Sequence, residues 1–304
     1  MCKAKDRTSQ MLTKIPNTDI GVSSICLGTM TFGNPVNEQD AINMIHWSLD
    51  HGINFIDTAD MYEGYDRFPG SPGGVGESIL GKALVGRRDH AVITTKVGNS
   101  VGNEAYQGKG LSPAHIYNQI DESLRRLQTD FVEFYELHRP DPDTPLHDSI
   151  AAMVKLIELG KIRHWGFSNY PASEIETMLS ICDSQGWPRP VISQPPLSWL
   201  KRDQLTDSVA LCASNQIAVT PYQPLQGGLL TGKYQRGSAL PADSRAAESK
   251  WLDDPDNEMH TRLDAFVEEA VERGLSPARY AIEWLLTQPG ITSVVVGAKR
   301  IDQI

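Results

Sequence analysis

The sequence is short of several things, and each shortage closes off a class of function. No uninterrupted apolar run approaches the roughly 20 residues that a membrane-spanning helix needs. The opening stretch MCKAKDRTSQMLTKIP is polar and carries no apolar core of the kind that directs secretion. Cysteine is scarce and scattered: Cys2, Cys26, Cys182 and Cys212 form no CxxC pair, which suits reduced structural thiols in a cytoplasmic protein. The eight histidines include no HExxH or comparable ligand spacing, so no metal site is expected. Positive charge is in deficit, 28 Lys and Arg against 38 Asp and Glu, for a net charge of −10. That balance favours solubility and argues against nucleic acid or an anionic membrane as the main partner. There is no repeat of solenoid length and no low-complexity tract.

What is present is an alternation of short apolar runs with amphipathic helical stretches. The runs are Ser24–Leu27, Asn54–Ile56, Ala91–Thr94, Phe131–Leu137, His164–Phe167, Val191–Ser193, Ile217–Thr220 and Ile291–Val296. Their hydrophobicity is continuous rather than alternating, as in strands buried on both faces. Between them, Ile116, Ile120, Leu124 and Leu127 form one apolar stripe. Ser112-Pro113 and Ser276-Pro277 read as helix starts, a capping serine followed by proline at the first helical position. Gly52, Gly86, Gly160, Gly186 and Gly274 read as helix ends. Eight strands, all but the last followed by helix, predict an α/β fold of the (β/α)8 TIM-barrel type. An open doubly wound sheet competes with it. The first strand, however, ends Leu27-Gly28-Thr29-Met30-Thr31-Phe32-Gly33, which is not the GxGxxG turn of that fold. One domain is expected across residues 1–304. Met11–Val22 is expected to form an N-terminal β-hairpin turning at Asn17-Thr18-Asp19, and Gly227–Asn257 a long, lid-like loop after the seventh strand.

A barrel of this kind works at the C-terminal ends of its strands. The residues just past the apolar runs are Gly28, Asp57, Lys96, His138, Ser168-Asn169, Gln194, Tyr222 and Lys299-Arg300, nearly all polar or ionisable. Taken singly, each has an ordinary explanation: an Asp after a strand caps a helix, a Lys snorkels to water, a His before Pro is structural, and a loop Tyr packs. Together, around one mouth, Asp57, Tyr62, Lys96 and His138 complement one another as carbonyl-reduction machinery. A phenol with an ordinary pKa of about 10 is a weak acid at neutral pH. The Lys96 ammonium, held by Asp57, is expected to lower that pKa, while a neutral His138 orients the carbonyl oxygen.

At these residues the chain resembles the aldo-keto reductase superfamily, in particular its Tas-like and potassium-channel β-subunit-like bacterial branches. The motifs that carry the resemblance are Leu27–Gly33, Gly52–Tyr62 with Asp57 and Tyr62 five residues apart, Ile93–Lys96, Leu137–Asp141, and Gly160–Arg163 leading to Gly166-Phe167-Ser168-Asn169. They occur in family order along nearly the whole chain. The resemblance implies an NADPH-dependent reductase that converts aldehydes or ketones to alcohols through Asp57, Tyr62, Lys96 and His138, with Tyr62 as general acid. It further implies that Gly28, Thr29, Met30 and Asp57 border the cofactor, that Ser168, Asn169 and Gln194 hold the nicotinamide carboxamide, and that Tyr222 stacks on its ring. Gln223, Pro224, Leu225, Gly227, Gly228 and Lys233 would follow the pyrophosphate. Gly297, Lys299, Arg300 and Gln303 would receive the adenosine 2′-phosphate, where two cations favour NADPH over NADH.

The chain departs from the family pattern in places. Gln223 stands where serine is common, Pro196-Leu197 replaces a frequent tyrosine, and Gly64–Gly76 is expected to be a loop extension beside Tyr62. The sequence ends at Ile304, so the final helix and C-terminal loop of the family are expected to be missing from this chain. The substrate is expected to be a small-molecule carbonyl compound, walled in part by Phe32, Trp199 and Tyr106. No apolar interface stripe stands out, and oligomeric state is not legible. Two other functions fit parts of the pattern. One is a non-catalytic NADPH-binding sensor or regulatory subunit. The other is a barrel aldolase using Lys96 as a Schiff-base nucleophile, against which the dinucleotide-binding cluster speaks.

Overall fold

The eight apolar runs become the eight strands of one parallel sheet. A computed structural model of the chain describes residues 12–68, 70–102, 110–236 and 255–304. After a short antiparallel pair, β1 (Thr13–Lys14) and β2 (Gly21–Val22), come β3 (Ile25–Gly28), β4 (Phe55–Asp57), β5 (Val92–Val97), β6 (Val132–Leu137), β7 (Ile162–Ser168), β8 (Ile192–Gln194), β9 (Ala218–Val219) and β10 (Val294–Gly297). The sheet order is β10-β3-β4-β5-β6-β7-β8-β9. Its two edges meet, because Thr292 N donates to Val219 O at 2.8 Å and Val295 N to Pro221 O at 2.9 Å. The sheet is therefore closed, and its strand ends share one mouth.

The predicted hairpin caps the opposite end. Asn17 takes a left-handed φ of 61° at its turn, Thr18 Oγ1 donates to Ile15 O at 2.9 Å, and Lys14 pairs with Asp19 at 3.1 Å. Ile15 and Val22 are buried against Cys26, Phe55, Phe134 and Ile192, which plug the lower barrel.

Eight helices among the described residues surround the sheet: α1 (Glu38–Asp50), α2 (Val75–Ala83), α3 (Pro113–Leu127), α4 (Leu146–Glu158), α5 (Ala172–Gln185), α6 (Ser208–Ser214), α7 (Asn257–Glu272) and α8 (Pro277–Leu286). The two serine-proline starts are as expected: Ser112 Oγ accepts from His115 N and Ser276 Oγ from Arg279 N, each at 3.3 Å. Ile116, Ile120, Leu124 and Leu127 bury the inner stripe of α3. Ser112→Ala is expected to lower stability by about 1 kcal/mol, the usual worth of such a cap, as thermal unfolding would show. The segment Gly64–Gly76 is not wholly loop, because α2 begins at Val75. Its glycine-rich part folds back on the barrel, with Tyr65 N donating to Asn34 O at 2.8 Å. After β9, Gln226–Thr231 forms 3-10 turns interrupted at Gly227 and Gly228. Most of the lid expected at Gly227–Asn257, residues 237–254, lies outside the described residues, as do Cys2 and Tyr106. No helix among the described residues is long and apolar enough to cross a membrane.

One buried link ties the outer layer to the site. Glu77 of α2 accepts from Arg126 Nε of α3 at 2.7 Å and from Thr95 Oγ1 of β5 at 2.6 Å. Thr95 is the neighbour of Lys96, so the helix pair and the lysine strand are fastened at one carboxylate.

Candidate active site

Side chains alternate along a strand, so residues two apart share a face. Phe55 and Asp57 on β4, Thr94 and Lys96 on β5, and Phe134 and Glu136 on β6 all turn into the barrel, with Asp57, Lys96 and Glu136 nearer the C-terminal end. At the top, Lys96 Nζ donates to Asp57 Oδ1 at 2.5 Å, to Thr58 O at 2.9 Å and to Tyr62 Oη at 3.3 Å. Lys96 is fully buried and Asp57 nearly so. Gln194 Nε2 donates to the same Asp57 oxygen at 2.8 Å. Tyr62 lies in the loop after β4, fixed by its backbone N to Ala59 O at 3.1 Å and its own O from Gly76 N at 2.9 Å. His138 follows β6 and sits edge-on to the Tyr62 ring, centroids 6.1 Å apart. Its Nδ1 is buried without a partner among the described residues. The structure thus brings Asp57, Tyr62, Lys96 and His138 together.

The electrostatics follow from burial. Removal from water pulls the Lys96 ammonium down, but Asp57, Tyr62 and Glu136 together hold it above its ordinary pKa. His138 is depressed by burial and by the cations Lys96, Arg139 and Arg67, so its imidazole is neutral at neutral pH. Tyr62 corrects an expectation. Lys96 does pull the phenol down, yet burial pushes it up more strongly, and its pKa lies above the ordinary value. Desolvation disfavours the phenolate more than one shared ammonium can offset. The phenol consequently keeps its proton across the neutral range.

The residues expected around a cofactor fall into three groups along the mouth. Ser168 Oγ donates to Gln194 O at 2.6 Å, Asn169 Nδ2 to His138 O at 2.9 Å, and Tyr222 Oη to Asn169 Oδ1 at 2.8 Å. Gly28 is seated between β4 and β10, opposite Asp57 and Gly297, and Thr29 N donates to Asp57 O at 2.9 Å. Met30 is exposed at the same rim. A second group starts at Gln223, where the chain turns left-handed (φ 61°), and continues through Pro224 and Leu225 to Gly227 and Gly228 (φ 67° and 97°). A Cβ on Gly228 would stand 3.1 Å from Lys233 Cε, which places that ammonium stem against this turn. Third, past β10, Lys299 N donates to Gln303 Oε1 at 2.8 Å, Lys299 Nζ lies 5.7 Å from the centre of the Tyr65 ring, and Arg300 is exposed and paired with Asp302 at 3.0 Å. Thr31 Oγ1 donates to Ala298 O at 2.9 Å and joins this rim to the loop of Met30.

Phe32 and Trp199 do not form an open wall: Phe32 is fully buried in the main core, and Trp199 packs on Phe266 at 5.2 Å. Aromatic side chains in loops reach the core whenever a neighbouring helix offers an apolar face, as α7 does here. Glu136, outside the predicted set, is fully buried beside the Lys96 strand. The signal for it lay in the spacing: Glu136 is two residues before His138 on β6 and so on the same face, whereas the other acid of that strand, Glu133, is on the opposite face.

Residues 24–304 match the sequence profile described as the aldo/keto reductase family. A probable voltage-gated potassium channel subunit beta of Arabidopsis thaliana is 32% identical over 292 residues, covering 93% of this chain and 85% of that protein. Protein tas of Escherichia coli is 32% identical over 320 residues, covering 96% and 90%. Among solved structures, a glycerol dehydrogenase from Gluconobacter oxydans superposes with a TM-score of 0.79 at 29% identity, over 97% of this chain and 88% of that one.

Proposed function

The chain belongs to the aldo/keto reductase family, and from that premise we propose that it reduces aldehydes or ketones to alcohols with NADPH, using Tyr62 as the general acid. The observation that carries this is the single buried contact set in which Lys96 reaches Asp57, Thr58 O and Tyr62 Oη at once. The donor set at the mouth fits a nicotinamide dinucleotide. Ser168, Asn169 and Gln194 offer hydroxyl and carboxamide groups beside Asp57, the left-handed turn at Gln223–Gly228 offers backbone amides with Lys233 alongside, and Lys299 and Arg300 suit a phosphate. When bound, that group supplies the hydride.

The chain's own residues do the rest. His138, neutral, can donate a hydrogen bond to a carbonyl oxygen and orient it. Tyr62 holds the proton that this oxygen needs once it becomes an alkoxide. Lys96 steadies the phenolate that remains, and Asp57 and Gln194 keep Lys96 charged and aimed. Burial removes competing water and strengthens each of these charge interactions. The raised Lys96 pKa speaks against the aldolase alternative, because a Schiff-base lysine must be able to lose its proton. One observation favours a sensor role: the similarity to a named channel β subunit, at 32% identity.

The test is oxidation of NADPH, with NADH beside it, over a panel of small reactive aldehydes. Turnover that prefers NADPH supports the reductase, and tight NADPH binding without turnover on any aldehyde supports the sensor. In the same assay, Lys299→Ala combined with Arg300→Ala is expected to weaken NADPH affinity by roughly 10- to 100-fold while leaving NADH little changed, as loss of charge-assisted phosphate contacts should. Equal losses for both cofactors would argue against a phosphate role for these residues.

A further inference from the structure

Glu136 stands on the strand that leads to His138, level with Lys96 in the sheet register. In the parallel ladder its Cα lies opposite Lys96 on one side and Gly166 on the other. Its side chain is fully buried. One oxygen accepts from Thr94 Oγ1 at 2.8 Å, and Oε2 has no partner among the described residues. An ammonium has three protons to donate, and Asp57, Thr58 O and Tyr62 Oη engage those of Lys96. Among the described residues no cation donates a hydrogen bond to Glu136; Lys96 acts on it only through space, and a carboxylate here would be a buried charge hydrogen-bonded by one neutral hydroxyl.

Glu136 is faced from the neighbouring strands on both sides. Lys96 and Thr94 face it from β5, Asp57 from β4, Cys26 from β3, and Tyr62 from the loop after β4. On β7 its neighbour is Gly166, with His164 a layer lower against Phe134, ring centroids 6.1 Å apart. β8 and β9 bring Ile192 and Ala218, which do not titrate.

We propose that Glu136 is a positioning residue for the Lys96–Tyr62 pair, a carboxyl sharing their buried compartment whose charge state governs how readily Tyr62 releases its proton. The inference rests on the reductase function proposed above. Burial, opposed by Lys96 and reinforced by Asp57, lifts the Glu136 carboxyl to about 8, so it is mostly protonated at neutral pH and ionises at the alkaline edge. Once ionised, it adds a negative charge beside Tyr62 and Lys96, and both then hold their protons more tightly. Carbonyl reduction needs Tyr62 protonated, and the reverse oxidation of an alcohol needs it deprotonated. Ionisation of Glu136 therefore extends reduction to higher pH and delays oxidation.

Glu136→Gln keeps the shape and a partner for Thr94 but cannot ionise. In this variant the falling limb of kcat/KM for reduction and the rising limb for oxidation are both expected to move to lower pH by roughly one unit. Glu136→Asp, which still titrates, is expected to restore a profile of wild-type form. A folded, active Glu136→Gln enzyme whose profile is unmoved, or is scaled equally at every pH as by a packing defect, overturns the inference. Isotope-edited infrared spectroscopy gives a reading independent of turnover. A protonated-carboxyl band present at pH 7, titrating near pH 8 and lost in Glu136→Gln, supports the inference, and its absence from the wild type overturns it. Lack of turnover in the wild type would overturn the reductase proposal and this inference with it, whereas turnover with an unmoved profile overturns the inference alone.

Discussion

Tyr62→Phe is expected to cut carbonyl reduction by roughly 100- to 10,000-fold in kcat/KM, the usual contribution of a positioned acid, while leaving NADPH binding close to wild type. The substitution removes one hydroxyl and little else. Lys96 keeps its contacts to Asp57 at 2.5 Å and Thr58 O at 2.9 Å, so the buried ion pair survives. The ring keeps its edge-on contact with His138. Ser168, Asn169, Gln194, Tyr222, Lys299 and Arg300 do not depend on the hydroxyl for their placement; Tyr222, for example, is tied to Asn169 instead. Steady-state rates and a fluorescence titration with NADPH separate the two effects. Undiminished turnover would remove Tyr62 from the role of acid. Loss of binding along with turnover would mean that the hydroxyl supports the site rather than the proton transfer.

The second large effect is structural. Gly166→Ala is expected to destabilise the protein by on the order of 3 kcal/mol and lower Tm by roughly 6 °C or more. A Cβ at this position would lie 2.3 Å from Ile192 Cγ2 and 2.4 Å from Ile192 O. The second of these atoms is backbone, so no rotamer change relieves the clash and β7 must part from β8. Those two strands end in Ser168 and Gln194, paired in register. Weaker NADPH binding is therefore expected along with the fall in Tm. Gly297→Ala is the control for stability: nothing lies within 4 Å of the Cβ it would add. Its Tm is expected to match wild type. Equal thermal shifts in the two variants, by calorimetry, would show that the β7–β8 approach is not the constraint described here.

Both predictions turn on the same feature. The barrel interior is narrow, so Gly166 leaves room for the middle layer, and the groups above it sit out of water. That dryness explains why Tyr62 lies above its ordinary pKa despite its cationic neighbour. It also explains why Glu136, where burial outweighs the pull of Lys96, keeps its proton near neutral pH.

The strands, the mouth and the four residues Asp57, Tyr62, Lys96 and His138 that meet there were legible in the chain alone. Buried parallel strands must be apolar along their length, so eight such runs marked eight strands, and the polar residue after each marked the mouth. Serine-proline starts are local chemistry, decided within four residues, and Ser112 and Ser276 cap as written. The hairpin at Asn17 is local in the same sense. Only the tertiary structure decided what depends on partners distant in the chain. Asp57 and Lys96 are 39 positions apart, and Asp57 and Gln194 are 137 apart. Their meeting is a property of barrel closure. Whether Phe32 and Trp199 face a substrate or the core depended on which helix covers them. The proton affinity of Tyr62 is a balance between desolvation and one ammonium, and a sequence shows the ammonium but not the depth of burial. Glu136 reads as an ordinary acid in a strand until the fold closes over it and leaves one of its oxygens with no partner among the described residues.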